Sequence, residues 1–210
     1  MDFYVLESPG TVTAKAVTDF LPLESTKKGE APKCIKCGQY IGMLPLLPPI
    51  RVELETWGDT FGDIAFGPGE ELLASKRFWN LFQSLGLTGL VPVAPADVVK
   101  VKSHRKLIQE QPSYLCFRVV RSKAAIDEKK SGLVREGPWT CNECRIGGII
   151  KSTERIVLER DSWSGEDIFI ARGLPGRILA SERMKTFCDQ KTILNCYLIK
   201  ASEFHFDHYA

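Results

Sequence analysis

Histidine is scarce in this chain of 210 residues: there are three, His104 near the middle and His205 and His208 near the end. The chain also has no His-Glu-x-x-His helix motif, no Gly-x-Ser-x-Gly elbow and no glycine-rich phosphate loop. These absences remove the usual sequence signs of zinc hydrolysis, serine acyl transfer and nucleotide binding. Charge of one sign is lacking too: 28 basic residues face 26 acidic ones, for a net charge of +2. Such a balance gives no long-range pull towards nucleic acid or membrane. Long hydrophobic runs are missing as well. The longest, residues 41–50, is broken by Pro45, Pro48 and Pro49 and falls well short of the ~20 residues a bilayer-spanning helix needs. The opening stretch, residues 1–6, has an early acid and no basic segment leading into an apolar run. It predicts no secretory signal and hence a cytoplasmic protein without a membrane partner.

Cysteine, by contrast, is patterned. Cys34-Ile35-Lys36-Cys37-Gly38 is answered by Cys141-Asn142-Glu143-Cys144, with both cysteines 107 positions further on. Two residues between cysteines let both sulfurs converge on one ion, and two such pairs supply the four thiolates of a tetrahedral zinc site. Cys34, Cys37, Cys141 and Cys144 are therefore the expected Zn2+ ligands. A site closed by four thiolates leaves no position for water, which makes the ion structural. The other readings of these pairs are reduced thiols or a disulfide in each half. Redox chemistry of the thioredoxin kind needs the pair after a strand and at a helix N-terminus, whereas prolines and glycines surround both pairs here. Gly38 suits a left-handed turn after the first pair; Arg145 holds that place after the second. The odd total of seven cysteines fits a reducing compartment better than a disulfide framework. Cys116, Cys188 and Cys196 lie in apolar settings and read as core fillers.

The repetition extends beyond the cysteines. Apolar openings at residues 3–6 and 113–117 each lead through a polar stretch to a knuckle. Residues 50–57 alternate apolar and charged side chains, as a half-buried strand does. Residues 155–163 alternate less cleanly, and both segments end in tryptophan, Trp57 and Trp163. Short apolar strands follow at 63–66 and 167–170, then Ser75 and Ser181 as helix N-caps. Phe78, Leu81, Phe82 and Leu85 mark an apolar helix face; Met184, Phe187 and Cys188 mark a shorter one. Closing strands are expected near 90–93 and 194–199, the first short or at a sheet edge because of Pro92 and Pro95. Together these features predict an α+β fold built as a tandem duplication of a sheet-plus-helix unit. The first repeat spans 1–102 with the Cys34/Cys37 knuckle, 103–112 is a solvated basic linker, and the second repeat spans 113–210 with the Cys141/Cys144 knuckle. One helix does not cover both faces of a sheet, so the halves are expected to pack together. Asp63 and Asp167 read as turn acids, Trp57 and Trp163 as core pegs. Trp79 or Trp139 is a candidate exposed anchor for a partner. His205, Asp207 and His208 offer metal-ligand chemistry, but Phe204 and Phe206 flanking His205 read as a terminal strand.

Both knuckles and the duplicated layout resemble the double-CXXCG motif family of social soil bacteria, whose members serve as immunity proteins of the Sit type. The resemblance covers nearly the whole chain and rests on Cys34, Cys37, Gly38, Cys141 and Cys144; the second motif departs from it at Arg145. Residues 73–78 through 89–93 are also similar to a wider class of immunity domains with a serine-capped helix. The resemblance implies no enzyme activity. It implies a protein that binds and neutralises a cognate polymorphic toxin in the cytoplasm, with structural zinc shaping its loops. The alternative is a zinc-ribbon-like nucleic-acid binder: Lys27, Lys28, Lys33 and Lys36 cluster near the first knuckle, whereas Glu136 and Glu143 lie at the second. An enzyme using a cleft between the halves would need convergent titratable groups that no motif reveals.

Overall fold

In the computed structural model, which describes residues 2–9, 16–108 and 110–207, the chain is a mixed α+β protein, mostly sheet with few helices. The chain opens with strands β1 (Phe3–Glu7), β2 (Thr18–Pro22), β3 (Ile50–Thr56), β4 (Ile64–Phe66) and β5 (Glu71–Ser75). Helix α1 (Lys76–Ser84) and the long strand β6 (Leu90–Ser103) follow. Beyond the basic connection come β7 (Tyr114–Val119), β8 (Arg121–Ala125), the short helix α2 (Glu128–Ser131), β9 (Val134–Arg135) and β10 (Ile150–Thr153). The chain continues through β11 (Ile168–Arg172), β12 (Ile178–Ser181), α3 (Glu182–Gln190), β13 (Tyr197–Lys200) and β14 (Phe206–Asp207). No helix among the described residues is long and apolar enough to cross a membrane.

Two main sheets carry the fold. One closes as a barrel in the order β2-β3-β6-β7-β5-β4; the other is open, in the order β13-β1-β12-β11-β8. Within the barrel, β6-β7-β5-β4-β2 occupy the places that β13-β1-β12-β11-β8 hold in the open sheet. Each of the two sheets takes one of its strands from a distant part of the chain. β7, the first strand after the connection, lies between β5 and β6, with Tyr114 opposite Ser75 and Phe117 opposite Leu72. β1, the first strand of the chain, lies between β12 and β13, with Phe3 opposite Ser181 and Leu6 opposite Ile178.

The pleat sends successive side chains to opposite faces, and the inner strands β5, β11 and β12 are buried on both. Leu72, Ala74 and Phe117 of the barrel, with Leu6, Ile178 and Ala180 of the open sheet, line one shared core. Helices α1 and α3 fill the same layer: the Phe78 and Phe187 rings meet edge to face at 5.5 Å. On the far sides, Leu73 and Cys116 face the barrel interior with Phe20 and Leu54, while Leu179 and Val5 face a third core with Phe169 and Phe204. Truncating a phenylalanine in such a layer costs about 3–5 kcal/mol.

Both expected N-caps form: the Ser75 hydroxyl accepts the Phe78 amide at 3.1 Å, and that of Ser181 accepts the Met184 amide at 3.2 Å. Two expectations change. β6 is a 14-residue strand of the barrel, not a short one, although residues 90–95 pair on one side only, as at a sheet edge. Its first part pairs with β7 and its second with β3, so each part keeps one unpaired side. The missing amides of Pro92 and Pro95 are tolerated there, and the register slips between Pro92 and Ala94. Residues 155–163 do not form the strand their alternation predicts; their one β-type pairing is the bridge from Leu158 to Ile126. Asp161 takes a left-handed backbone, φ 60°, and β13 has only four residues, compared with the seven of β6 that pair with β3. The open sheet therefore lacks the strand that closes the barrel.

Asp63 and Asp167, expected as turn acids, are buried, with 6% and 1% of their surface exposed. Asp63 accepts the Ser75 hydroxyl at 2.8 Å and the Leu194 amide at 3.0 Å, and pairs with Arg77. Arg77 also reaches the Lys191 carbonyl at 2.6 Å, beyond the end of α3. Asp167 repeats this across the interface: it accepts the Ser181 hydroxyl at 2.8 Å and the Thr88 amide at 3.0 Å and pairs with Arg183, which reaches the Leu85 carbonyl at 3.2 Å. Each aspartate thus ties its own sheet to the turn that ends the opposite helix. Removing a buried acceptor leaves its donors unpaired at about 1–3 kcal/mol each. We expect Asp63→Ala and Asp167→Ala each to destabilise the fold by about 2–5 kcal/mol in urea unfolding. Losses below about 0.5 kcal/mol would show that these carboxylates hold nothing.

Candidate metal centre

Each knuckle sits at the tip of a hairpin arm. In the first arm, residues 27–34 run out and 39–47 return, joined by bridges from Lys28 to Leu46 and from Lys33 to Tyr40. The second arm rises from β9 and β10, and the Glu136 amide donates to the Ile149 carbonyl at 3.0 Å. The two tips meet. Cys34 Sγ lies 3.8 Å from Cys141 Sγ and Cys37 Sγ lies 3.7 Å from Cys144 Sγ; all four sulfurs fall within 4.8 Å of one another. Four thiolates around one ion at about 2.3 Å would stand about 3.8 Å apart along a tetrahedron's edges. The donor set and its spacing therefore fit a metal site. Cys34, Cys141 and Cys144 are buried with Ile41 and Ile146 against them, while Cys37 faces solvent.

The turns are built alike despite the missing glycine. The Gly38 amide donates to the Cys34 carbonyl at 2.9 Å, and the Arg145 amide to the Cys141 carbonyl at 2.9 Å. Gly38 has φ 74° and Arg145 has φ 54°, both left-handed. That conformation costs a residue with a Cβ about 1–2 kcal/mol. Side-chain contacts offset it here. The Arg145 guanidinium grips Glu159 with two bonds, 2.7 and 3.0 Å, and lies over the Trp139 ring at 5.3 Å. Arg172 steadies the same knuckle from β11: it donates to the Asn142 and Glu143 carbonyls at 3.4 and 3.2 Å. The Arg145–Glu159 pair and the Arg172 clamp escaped sequence reasoning. An arginine standing in a glycine position was the available signal.

Backbone amides also reach the sulfurs. Those of Cys144 and then Glu143 hold the Cys141 thiol down at about 7, while burial pushes that of Cys144 up to about 12. The chemistry this cluster offers is soft, four-fold thiolate ligation. The remaining cysteines lie elsewhere. Cys116 and Cys188 are buried as expected and Cys196 is half-buried, with the Cys188 and Cys196 sulfurs 3.0 Å apart.

The other candidates disperse. His104 stacks on Trp57 with ring centres 5.1 Å apart and bonds Glu55 at 2.8 Å. Trp57 is thus half-buried outside the barrel, not a core peg, whereas Trp163 packs against Phe3 at 5.2 Å. Trp79 packs on Phe117 at 4.6 Å, and Trp139 lies under Arg145; neither is an exposed anchor. His205 is exposed, Asp207 is in β14, and His208 lies outside the described residues. No protein-family model and no curated protein matches this chain.

Two measurements check the centre. Cobalt(II) added to the purified protein is expected to give intense sulfur-to-metal charge-transfer bands, and Cys34→Ser or Cys141→Ser to abolish them. Metal affinity should also fall steadily as pH falls, because protons returning to the thiols compete with the ion. Binding that is flat from pH 5 to pH 8 would exclude thiolate ligation.

Proposed function

We propose that this chain is an immunity protein that binds and neutralises a cognate protein toxin, with one structural zinc holding its two arms together. The meeting of Cys34 and Cys37 with Cys141 and Cys144, from arms on two different sheets, carries the reading. Four thiolates complete a tetrahedron and leave no open position for a substrate or an attacking water. The ion then acts as a clasp that fixes loop shape. A protein whose metal fixes loops, and whose buried carboxylates Asp63 and Asp167 are spent on its own turns, is read as a non-enzymatic binding scaffold. The resemblance to double-CXXCG immunity proteins gives that scaffold its partner class. The matched strand orders and paired aspartates support an origin by tandem duplication, with the first repeat at 1–102 and the second at 113–210.

The nucleic-acid reading draws on Lys27, Lys28, Lys33 and Lys36, all exposed on the first arm. It predicts binding that weakens steeply with salt, with a log–log slope set by the number of phosphates contacted.

The deciding experiment expresses candidate protein toxins, one at a time, in a sensitive host, with and without this chain. Rescue of growth together with a co-purifying complex is expected, and Cys34→Ser is expected to weaken both. No rescue with any of them, alongside salt-dependent oligonucleotide binding, would replace immunity with the nucleic-acid reading.

A further inference from the structure

Beside the metal centre a cleft of about 260 Å³ opens between the two knuckles and the edge of the open sheet. Its apolar lining comes from Ile41 of the first arm, Ile146 of the second, Ile170 of β11 and Pro175. Ile35, at the tip of the first knuckle, borders it and is 97% exposed. Taking an isoleucine side chain out of water is favourable. One held in water at the lip of an apolar cleft is a contact surface waiting for a second molecule.

The charge around the mouth is one-sided. Lys33, Lys123 and Arg172 line it, and none of the three is in an ion pair among the described residues. Arg121 also lines it but is occupied by Glu70. Glu143 is the single carboxylate of the lining. The stretch that carries the first arm repeats the bias: residues 26–47 hold four lysines and one glutamate, in a chain whose total net charge is +2.

Size and chemistry narrow the occupant. Small-molecule and cofactor sites run to about 300–1,000 Å³; this cleft lies at the lower end of that range, with room for one or two side chains. Binding of single-stranded nucleic acid relies on stacking platforms, and the cleft is lined by no aromatic residue. The neighbouring Tyr40 has its ring under the Lys33 ammonium, 5.1 Å from the centroid. An apolar floor with a cationic rim matches a buried anchor residue with carboxylates around it, the arrangement of an interface hot spot.

We propose that this cleft receives one large apolar side chain of the partner protein, carried on a segment with acidic residues on both sides of it. The proposal rests on the immunity reading and deepens it, because it names the docking surface and the chemistry of the toxin segment that fits there. The metal tie between the arms sets the width of the cleft, since Cys34 and Cys144 both border it.

The test uses the full chain, metal-loaded and labelled at isoleucine methyls, with a short peptide holding one phenylalanine between two pairs of glutamates. Methyl signals of Ile41, Ile146 and Ile170 are expected to shift on titration, and that of Ile50 in the barrel core to stay still. Replacing the phenylalanine by alanine should weaken binding by about tenfold or more. A peptide with lysines for the glutamates should not bind. The double variant Lys33→Glu, Lys123→Glu should lose about tenfold at low salt; its unchanged metal content would show that the fold is intact. Equal binding of the alanine peptide, stronger shifts with a single-stranded oligonucleotide, or still methyls throughout would each overturn the proposal. Toxin neutralisation that survives the double variant would also overturn it, and would leave the immunity reading standing. Peptide binding as described with no toxin neutralised would keep the cleft as an acidic-segment site and remove the immunity reading.

Discussion

A backbone amide or carbonyl in the middle of a sheet has to find a partner, because leaving it buried and unpaired costs more than most side-chain contacts return. Here the partner comes from across the chain. β5 and β6 are joined by β7, and β12 and β13 are joined by β1. Withdrawing either opening strand would expose two rows of unpaired backbone groups at once, in a sheet with apolar side chains on both faces. Residues 1–102 and 113–210 are therefore mutually dependent, even though the connection between them is polar and exposed. The aspartate ties act in the same direction. Asp63 and Asp167 each fix a turn that belongs to the other side, so slippage of one half against the other would break buried hydrogen bonds as well as shear the shared phenylalanine layer.

The metal centre inherits this constraint. The first arm departs from the barrel between β2 and β3. The second belongs to the three-stranded β14-β10-β9 sheet, and the Arg172 clamp steadies it from β11 of the open sheet. Their tips meet only because the roots are held. Ligation contributes about 10–16 kcal/mol in isolated zinc peptides, where the ion must also organise the chain. In this protein three apolar cores already order the frame. The contribution of an ion held here to global folding would be correspondingly smaller, and its main effect would fall on the arms. Removing it would loosen residues 27–47 and 136–149 while the sheets persist.

What could be read from sequence here was local or strictly periodic. Ser75 and Ser181 were legible as caps because a cap is decided within three residues of the helix start. The knuckles were legible because spacing alone sets their chemistry. The clean alternation of 50–56 gave a strand whose buried residues are Ile50, Val52, Leu54 and Thr56. Partners distant in the chain were not legible. Nothing in residues 3–7 says that they pair with 178–181. The expectation for 155–163 failed because a strand needs a neighbour to pair with, and β13 stops after four residues. Pro92 and Pro95 implied a short strand because proline removes a donor; the barrel satisfies that by giving each part of β6 a single paired side. Asp63 and Asp167 looked like surface acids because their donors, Leu194 and Thr88, lie more than 75 residues away.

The two knuckles share a backbone shape but not a setting, and the difference assigns them different duties. At the second, an arginine accepts a left-handed backbone because Glu159 and Trp139 hold its side chain, and Arg172 holds the turn's carbonyls. That knuckle is bound to the framework on several sides. At the first, glycine takes the same conformation without side-chain support, and a Cβ at Gly38 would meet nothing within 4 Å. Its tip stands clear of the framework, with Ile35, Tyr40 and Met43 exposed along the arm. Displaying apolar side chains on a loop that wanders would forfeit binding energy to ordering, about 0.5–1.5 kcal/mol for each side chain fixed on contact. An ion held by all four sulfurs would remove part of that loss by fastening the free tip to the anchored one. Loaded with metal, the four-cysteine centre would let the anchored knuckle lend its order to the exposed one.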